Sequence, residues 1–276
     1  MSHNLSRRAF LSGSGLLALT LAACGGNGGG DNGGDAAPAD AAEFTTITEG
    51  VLTVASDMAY PSMESIPEGS DQPEGFEIDL VDELASRIGL TTTYLPPVKF
   101  DTIVPMIKQG GKADIGAASF TITDERALEI DFTDPFMDSN QSIVTKADSD
   151  VATADDLNVD GIQVAVQAGT TGEAWVRENL PNAVCVTLDD AIQCLTGCQT
   201  GLYAAVVADL PVMAYLCNSS YTDLRVAVEI PTGEQYGIVV SKDNPGLTAA
   251  LNQALADMMD DGTYDALYSD WFGGQA

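Results

Sequence analysis

Arg126 is the side chain best placed to hold an anion. It follows a loop containing Ser119 and Thr121 and falls in the first turn of a helix entered at Thr123-Asp124-Glu125. A guanidinium is a planar fork that grips a carboxylate through two parallel bonds. Free backbone N–H groups at a helix start favour an anion as well. The plainer reading is an exposed arginine paired with Asp124 or Glu125. Asp209 offers the opposite charge where a buried-looking strand meets a helix, and there it either caps the helix or serves a site. The turn Gly169-Thr170-Thr171 also leads from a strand into a helix, so its N–H groups are free for a ligand or for simple capping. Other chemistry is missing. The only histidine, His3, lies in a leader described below, which removes Ser-His-Asp and Cys-His nucleophiles and HExxH zinc sites. Cys194 and Cys198 stand at metal-ligand spacing, but with no histidine and no CxxC pair they are better read, with Cys185 and Cys217, as disulfides in one of three pairings or as buried thiols.

These residues sit on alternating strands and helices. Val51–Ala55 is an apolar β-rich run, and residues 78–89 carry an apolar stripe at helical spacing that ends at Gly89. Strand 91–95, a helix near 101–109 and strand 113–117 complete a βαβαβ unit, which calls for a parallel sheet wrapped by helices. The alternation restarts with strand 162–166, helix 173–179, strand 183–188, helix 189–199, strand 204–207 and helix 211–216. Strand 236–241 and helices near 246–260 and 263–271 close the chain. The last helices have no sheet of their own, so the economical arrangement returns them to the first unit. The chain then crosses twice between units, near Ser142–Thr145 and near Pro231–Gln235. Two crossings make a hinge, and a cleft between α/β lobes is a place for a small ligand.

The N-terminus reads as an address and a tether. Arg7-Arg8 with Phe10-Leu11 precede a short apolar run from Gly15 to Ala23, too short for a permanent bilayer span of ~20 residues. The arginine pair resembles a twin-arginine signal, with general secretion as the other route. Leu21-Ala22-Ala23-Cys24 resembles the bacterial lipobox, which would make Cys24 the acylated new N-terminus. The glycine-rich stretch after it cannot bury apolar surface and behaves as a flexible leash. Attachment is then expected through acyl chains. The chain has 276 residues, 45% of them hydrophobic, and a net charge of −30, more negative by two once Arg7 and Arg8 are removed. Such a surface repels phosphate backbones and argues against a nucleic-acid partner.

Gly75-Phe76-Glu77-Ile78-Asp79-Leu80, continued by Leu84-Ala85 and Ile88, fills every constrained position of a signature, and the chain resembles the family-3 extracellular solute-binding proteins from about 48 to 273. Asp114 to Arg126, Ile130 to Pro135, Val164 to Thr171 and Ala204 to Asp209 follow in the family's order and spacing. The resemblance implies an amino-acid receptor of a bacterial ABC importer with a type II periplasmic-binding-protein-like fold: two α/β lobes joined by a two-strand hinge. The corresponding boundaries are an export signal at 1–23, a tether at 24–47, lobe 1 at 48–141 and 234–276, and lobe 2 at 142–233.

It also implies roles. A free amino acid is a zwitterion, so its receptor needs one cation, one anion and several neutral dipoles in a dry cleft. By resemblance Arg126 takes the α-carboxylate and Asp209 the α-ammonium. The Ser119 carbonyl would accept from that ammonium, while Thr121 and the Gly169-Thr170-Thr171 turn help to hold the ligand. Asp57, Tyr60 and Phe100 match positions flanking the side chain, and Gln167 and Ala208 sit where the second lobe closes the pocket. Gln167 and Ala208 depart from the Lys and His of the family's glutamine receptors, and Ala118 departs from the serine of its basic-amino-acid receptors. Aromatic planes stack on an aliphatic stem or a guanidinium, and Asp57 accepts from an amide or an ammonium. The expectation is a lipid-anchored, monomeric receptor that closes over one polar or basic L-amino acid and delivers it to an ABC permease, with no cofactor, no metal and no covalent chemistry. A dicarboxylic ligand is disfavoured by Asp57 and the lack of a second cation. The alternatives are a cyclohexadienyl dehydratase-like enzyme on the same scaffold and a sensory lipoprotein that feeds no transporter.

Overall fold

The computed structural model describes residues 43–273, so Cys24, the leader and most of the tether lie outside the described residues. The chain begins with β1 (Val51–Ala55), buried along nearly its whole length as a central parallel strand must be. A short antiparallel ribbon of β2 (Ala59–Tyr60) and β3 (Glu64–Ser65) follows. Helix α1 (Phe76–Arg87) buries Phe76, Ile78, Leu80, Val81, Leu84 and Ala85, the stripe expected from its spacing, and also buries Glu77. Strand β4 (Thr91–Tyr94), helix α2 (Phe100–Gln109) and strand β5 (Ile115–Gly116) complete the first βαβαβ unit. One short turn, α3 (Asp124–Ala127), and β6 (Asp131–Phe132) lead out of it.

The second unit is entered through β7 (Met137–Lys146). It continues with β8 (Gln163–Gln167), α4 (Thr171–Asn179), β9 (Val184–Leu188), α5 (Ala191–Thr200), β10 (Ala205–Asp209) and α6 (Leu210–Ser219). The long strand β11 (Leu224–Tyr236) leads back to β12 (Val239–Val240), α7 (Pro245–Asp261) and α8 (Thr263–Phe272). The first sheet has the order β4-β1-β5-β12-β6 and the second β11-β7-β10-β8-β9. Within them β1 runs parallel to β4 and β5, and β8 parallel to β9 and β10. The terminal helices pack on the first unit, α7 against α1, β6 and β12, and α8 against α1 and α7. The architecture is the type II periplasmic-binding arrangement of two α/β lobes.

Two expectations are corrected. Residues 142–145 lie inside the second sheet, where Gln141–Val144 pair with Asp209–Val206 of β10. The crossing placed there is instead the outer part of β7, which forms with β11 one antiparallel ladder from Leu224↔Lys146 to Tyr236↔Met137 with a register shift between Ile230 and Glu234. The crossing placed near Pro231–Gln235 lies on the outer part of β11, whereas Asp138-Ser139-Asn140 carries no apolar pattern and the other crossing is placed a few residues too late. The strand placed at 236–241 is divided, since Tyr236 ends β11 and only Val239–Val240 pair with β5 and β6. Of the two readings left open for the cysteines the thiol one holds: Cys194, Cys198 and Cys217 are buried and Cys185 half-buried, none in a disulfide. Burial pushes the Cys194 thiol up to about 12 and those of Cys198 and Cys217 up to about 11, so they behave as small apolar side chains.

Gly75 precedes α1 at φ 145°, and a Cβ there would lie 2.0 Å from the Met63 carbonyl oxygen. The close approach lets Phe76 and Glu77 donate backbone bonds to Ser62 and Met63, tying α1 to the β2–β3 ribbon. Gly75→Ala is expected to cost roughly 3 kcal/mol or more through strain and clash. Urea unfolding measures it, and a loss below about 0.5 kcal/mol would contradict this account of the glycine.

Candidate ligand-binding site

The carboxyl ends of the parallel strands of both lobes face one another across a cavity, the usual place for ligands in open α/β sheets. From the first lobe come Asp57 after β1, Tyr60 in β2, Phe100 at the start of α2, Ser119 and Thr121 after β5, and Arg126 in α3. From the second come Gln167 at the end of β8, Thr170 and Thr171 at the start of α4, and Asp209 at the end of β10. These ten residues and Ala118 line this cavity, whereas Ala208, expected to help close the pocket, does not, and Gly169 lines the adjoining groove. Its volume of about 20 Å³ is that of one enclosed water site. Beyond Arg126 a wider groove of about 460 Å³ opens between Phe120, Asp101, Leu128 and Gly169.

Arg126 is half-buried and does not pair with Asp124 or Glu125, so the plainer reading fails. Its Nη1 donates to the Thr121 carbonyl at 2.8 Å, and its Nη2 reaches across the cleft to the Gly169 carbonyl at 2.9 Å. Its guanidinium carbon lies 5.4 Å from the ring centroids of both Phe100 and Phe120, which stack on each other at 4.5 Å. Burial pushes the Arg126 pKa down, while the charges of Asp209, Glu234 and Glu125 oppose that shift.

Asp209 occupies the N-cap position of α6 yet makes no capping bond with its side chain. The carboxylate turns to the cavity instead. Tyr236 donates its hydroxyl to Oδ2 at 2.8 Å, and Gln141 donates Nε2 to Oδ1. The Asp209 N–H donates to the Tyr60 hydroxyl at 3.2 Å. Burial raises its pKa to about 6, with the bonds from Tyr236 and Gln141 holding it lower than burial alone would. Asp57 is likewise raised to about 6 by burial, partly offset by the 2.8 Å bond from Gln167 Nε2 to its Oδ2. Its Oδ1 is buried with no partner.

The Thr170 hydroxyl caps α4 by accepting from the Glu173 N–H at 3.1 Å, so the capping reading of that turn holds while Thr170 also lines the cavity. Several bonds tie the lobes together: Gln167 to Asp57, Arg126 to Gly169, Asp209 to Tyr60, and an exposed Lys99–Asp189 pair at 2.8 Å. Gly169, at φ 76°, sits so close to α2 that a Cβ would lie 2.9 Å from that of Asp101.

Sequence reasoning missed the residues behind the front line. Glu234, on the hinge strand β11, accepts at Oε2 from Thr121 (3.1 Å), Thr171 (2.9 Å) and Gln141 (3.0 Å). Gln141 and Tyr236, also on the hinge strands, orient Asp209. None has a local signal, because each acts through a fold-level crossing. Glu77 had one: it shares the buried stripe with Leu80, Val81 and Leu84, where a carboxylate is out of place.

Residues 52–274 match the model of the bacterial extracellular solute-binding proteins, family 3. The L-cystine-binding protein TcyJ of Escherichia coli (strain K12) is 31% identical over 227 residues, 81% of this chain and 83% of that protein. The structure of an ancestral arginine-binding protein bound to arginine is similar with a TM-score of 0.76 and 33% identity, covering 81% of this chain and 99% of that one. That of the ancestral amino acid-binding protein AncCDT-1, a precursor of cyclohexadienyl dehydratase, gives 0.75 and 35% over 81% and 96%.

A carboxyl raised from 3.8 to about 6 binds its proton more tightly in the folded than in the unfolded chain. The stability it contributes is complete below pH 3.8 and is lost as pH rises to 6, by about 3 kcal/mol for Asp209. Unfolding free energy is therefore expected to fall between pH 4 and 6.5. Asp209→Asn should flatten part of that slope and leave the share of Asp57. Urea titrations across this range check it, and an unchanged slope in the variant would contradict the raised pKa.

Proposed function

The chain belongs to the bacterial extracellular solute-binding proteins of family 3, and from that premise we propose that it is an extracytoplasmic receptor that closes its two lobes over one polar or basic L-amino acid and delivers it to an ABC importer. One observation carries this reading: a guanidinium from the first lobe and a carboxylate from the second reach the same cavity, with neutral dipoles between them. Arg126 takes the α-carboxylate with its fork, and Asp209, held as an acceptor by Tyr236 and Gln141, takes the α-ammonium. Both ends of the zwitterion are then satisfied only when the lobes are together, and ligand energy goes into the closed state. Ligand entry then requires the lobes to part along the β7–β11 ladder, breaking ties such as Lys99–Asp189 and Gln167–Asp57.

The ligand's side chain falls against Asp57, Tyr60, Phe100 and Gln167. The unpartnered Asp57 Oδ1 asks for a donor there. Among the described residues Arg126 is the only basic one lining the cavity, against Asp57 and Asp209, with Glu234 at hydrogen-bond distance of two other lining residues. This balance repels a second carboxylate and favours an amide, ammonium or guanidinium.

The similarity to the dehydratase precursor gives the enzyme reading its one support. Proton donation by Asp57 or Asp209 would be needed there, yet both serve as acceptors for Gln167, Tyr236 and Gln141. Incubation with prephenate or arogenate should yield no product.

A thermal-shift panel of the twenty L-amino acids should show at least one polar or basic member raising the melting temperature, since ligand stabilises by RT ln(1 + [L]/Kd). In calorimetry Arg126→Ala should weaken that ligand more than a hundredfold and Asp209→Asn at least tenfold, with unchanged circular dichroism. Undiminished affinity in Arg126→Ala would overturn the assignment. We also propose that Cys24 carries the anchor. The exported wild-type chain should then sediment with membranes and Cys24→Ser remain in the supernatant, and equal partitioning would exclude acylation at this residue.

A further inference from the structure

Two acids lie behind the cavity without lining it. Glu64 in β3 and Glu77 in α1 are 1% and 0% exposed. Both turn to Ser119. Its N–H donates to Glu77 Oε2 at 2.6 Å, and its hydroxyl donates to Glu64 Oε2 at 3.0 Å. The backbone bonds from Phe76 and Glu77 to Ser62 and Met63 bring the two acids together. The charged or titratable groups facing them are each other, Asp57, Tyr60 and Tyr94, and no cation is among these. Two carboxylates in contact, desolvated and without a counter-ion, cannot both stay ionised. Each also has a buried Oε1 that accepts no hydrogen bond among the described residues, so neither acid has the partners that a full buried charge requires.

Ser119 stands at φ 50°, a left-handed conformation that a serine keeps only when its surroundings enforce it. With its N–H and hydroxyl turned inward to the acids, one polar atom remains. The Ser119 carbonyl accepts no hydrogen bond among the described residues, and Ser119 lines the cavity. We propose that Glu64 and Glu77 are positioning residues that share one proton and hold Ser119 so that its carbonyl is presented to the ligand's ammonium group. This rests on the receptor reading above. Burial is consistent with it, raising Glu77 to about 7, and burial together with the charge of Glu77 raises Glu64 well above the ordinary carboxyl range.

The full chain tests it with L-arginine as probe. Glu64→Leu and Glu77→Leu, each leaving one donor of Ser119 without its acceptor, should bind L-arginine at least tenfold more weakly than wild type. Glu64→Gln places an amide N–H where the shared proton was and should recover at least fivefold over Glu64→Leu. A purely structural role would not move a second readout, the melting temperature against pH. The wild type must hold its proton against an increasingly dilute supply, so between pH 5 and 8 it should lose several °C relative to Glu64→Gln. Wild-type affinity in both leucine variants, or parallel pH profiles, would overturn the proposal. Should the wild type bind none of the twenty amino acids, the receptor reading fails and the ammonium role with it, while the pH profiles still decide the shared proton.

Discussion

A guanidinium drawn out of water between two lobes must be surrounded by acceptors, and much of the cavity is arranged by that constraint. Arg126 has one acceptor on its own lobe, the Thr121 carbonyl, and one on the other, the Gly169 carbonyl. Its field reaches Asp209 and Glu234, the first at the end of a second-lobe strand and the second on a hinge strand. One cation thus acts on three parts of the chain at once. Parting the lobes costs that coupling unless a ligand carboxylate or water replaces it.

The hinge is part of the site. β7 and β11 join the lobes, and the same strands supply Gln141, Glu234 and Tyr236, which orient Asp209, Thr121 and Thr171. A hinge that merely connected would need no buried polar side chains. Here a change of angle between the lobes shifts the donors of Asp209 directly. Gln141, Glu234 and Tyr236 thus belong both to the strands that join the lobes and to the bonds that orient the cavity's side chains, and the register shift between Ile230 and Glu234 lies beside them.

Behind the first line of side chains, the structure tolerates carboxyls in places where carboxylates are costly. Asp57, Asp209, Glu64 and Glu77 all have raised pKa values, each chiefly because burial disfavours the charge. Such groups are kept where their hydrogen-bonding capacity fixes a geometry that apolar packing could not. The acid pair under Ser119 and the Tyr236–Asp209–Gln141 cluster are two instances, one behind each side of the cavity.

What the sequence determined by itself is the alternation of apolar strands and striped helices, and with it two α/β units. Helices such as α1 and α7 were legible because their apolar spacing is local. The cavity's front residues were legible through the family-like stretches that carry them. Only the tertiary structure decided the rest. Whether Asp209 caps α6 or faces the cavity is a matter of side-chain rotation, and its two donors lie in strands 27 and 68 residues away in sequence. The hinge strands have a polar composition that hides their pairing, since their partners are each other across the whole second lobe. Local periodicity reports what one element buries against a neighbour, whereas a charge's partner is chosen by the global path of the chain.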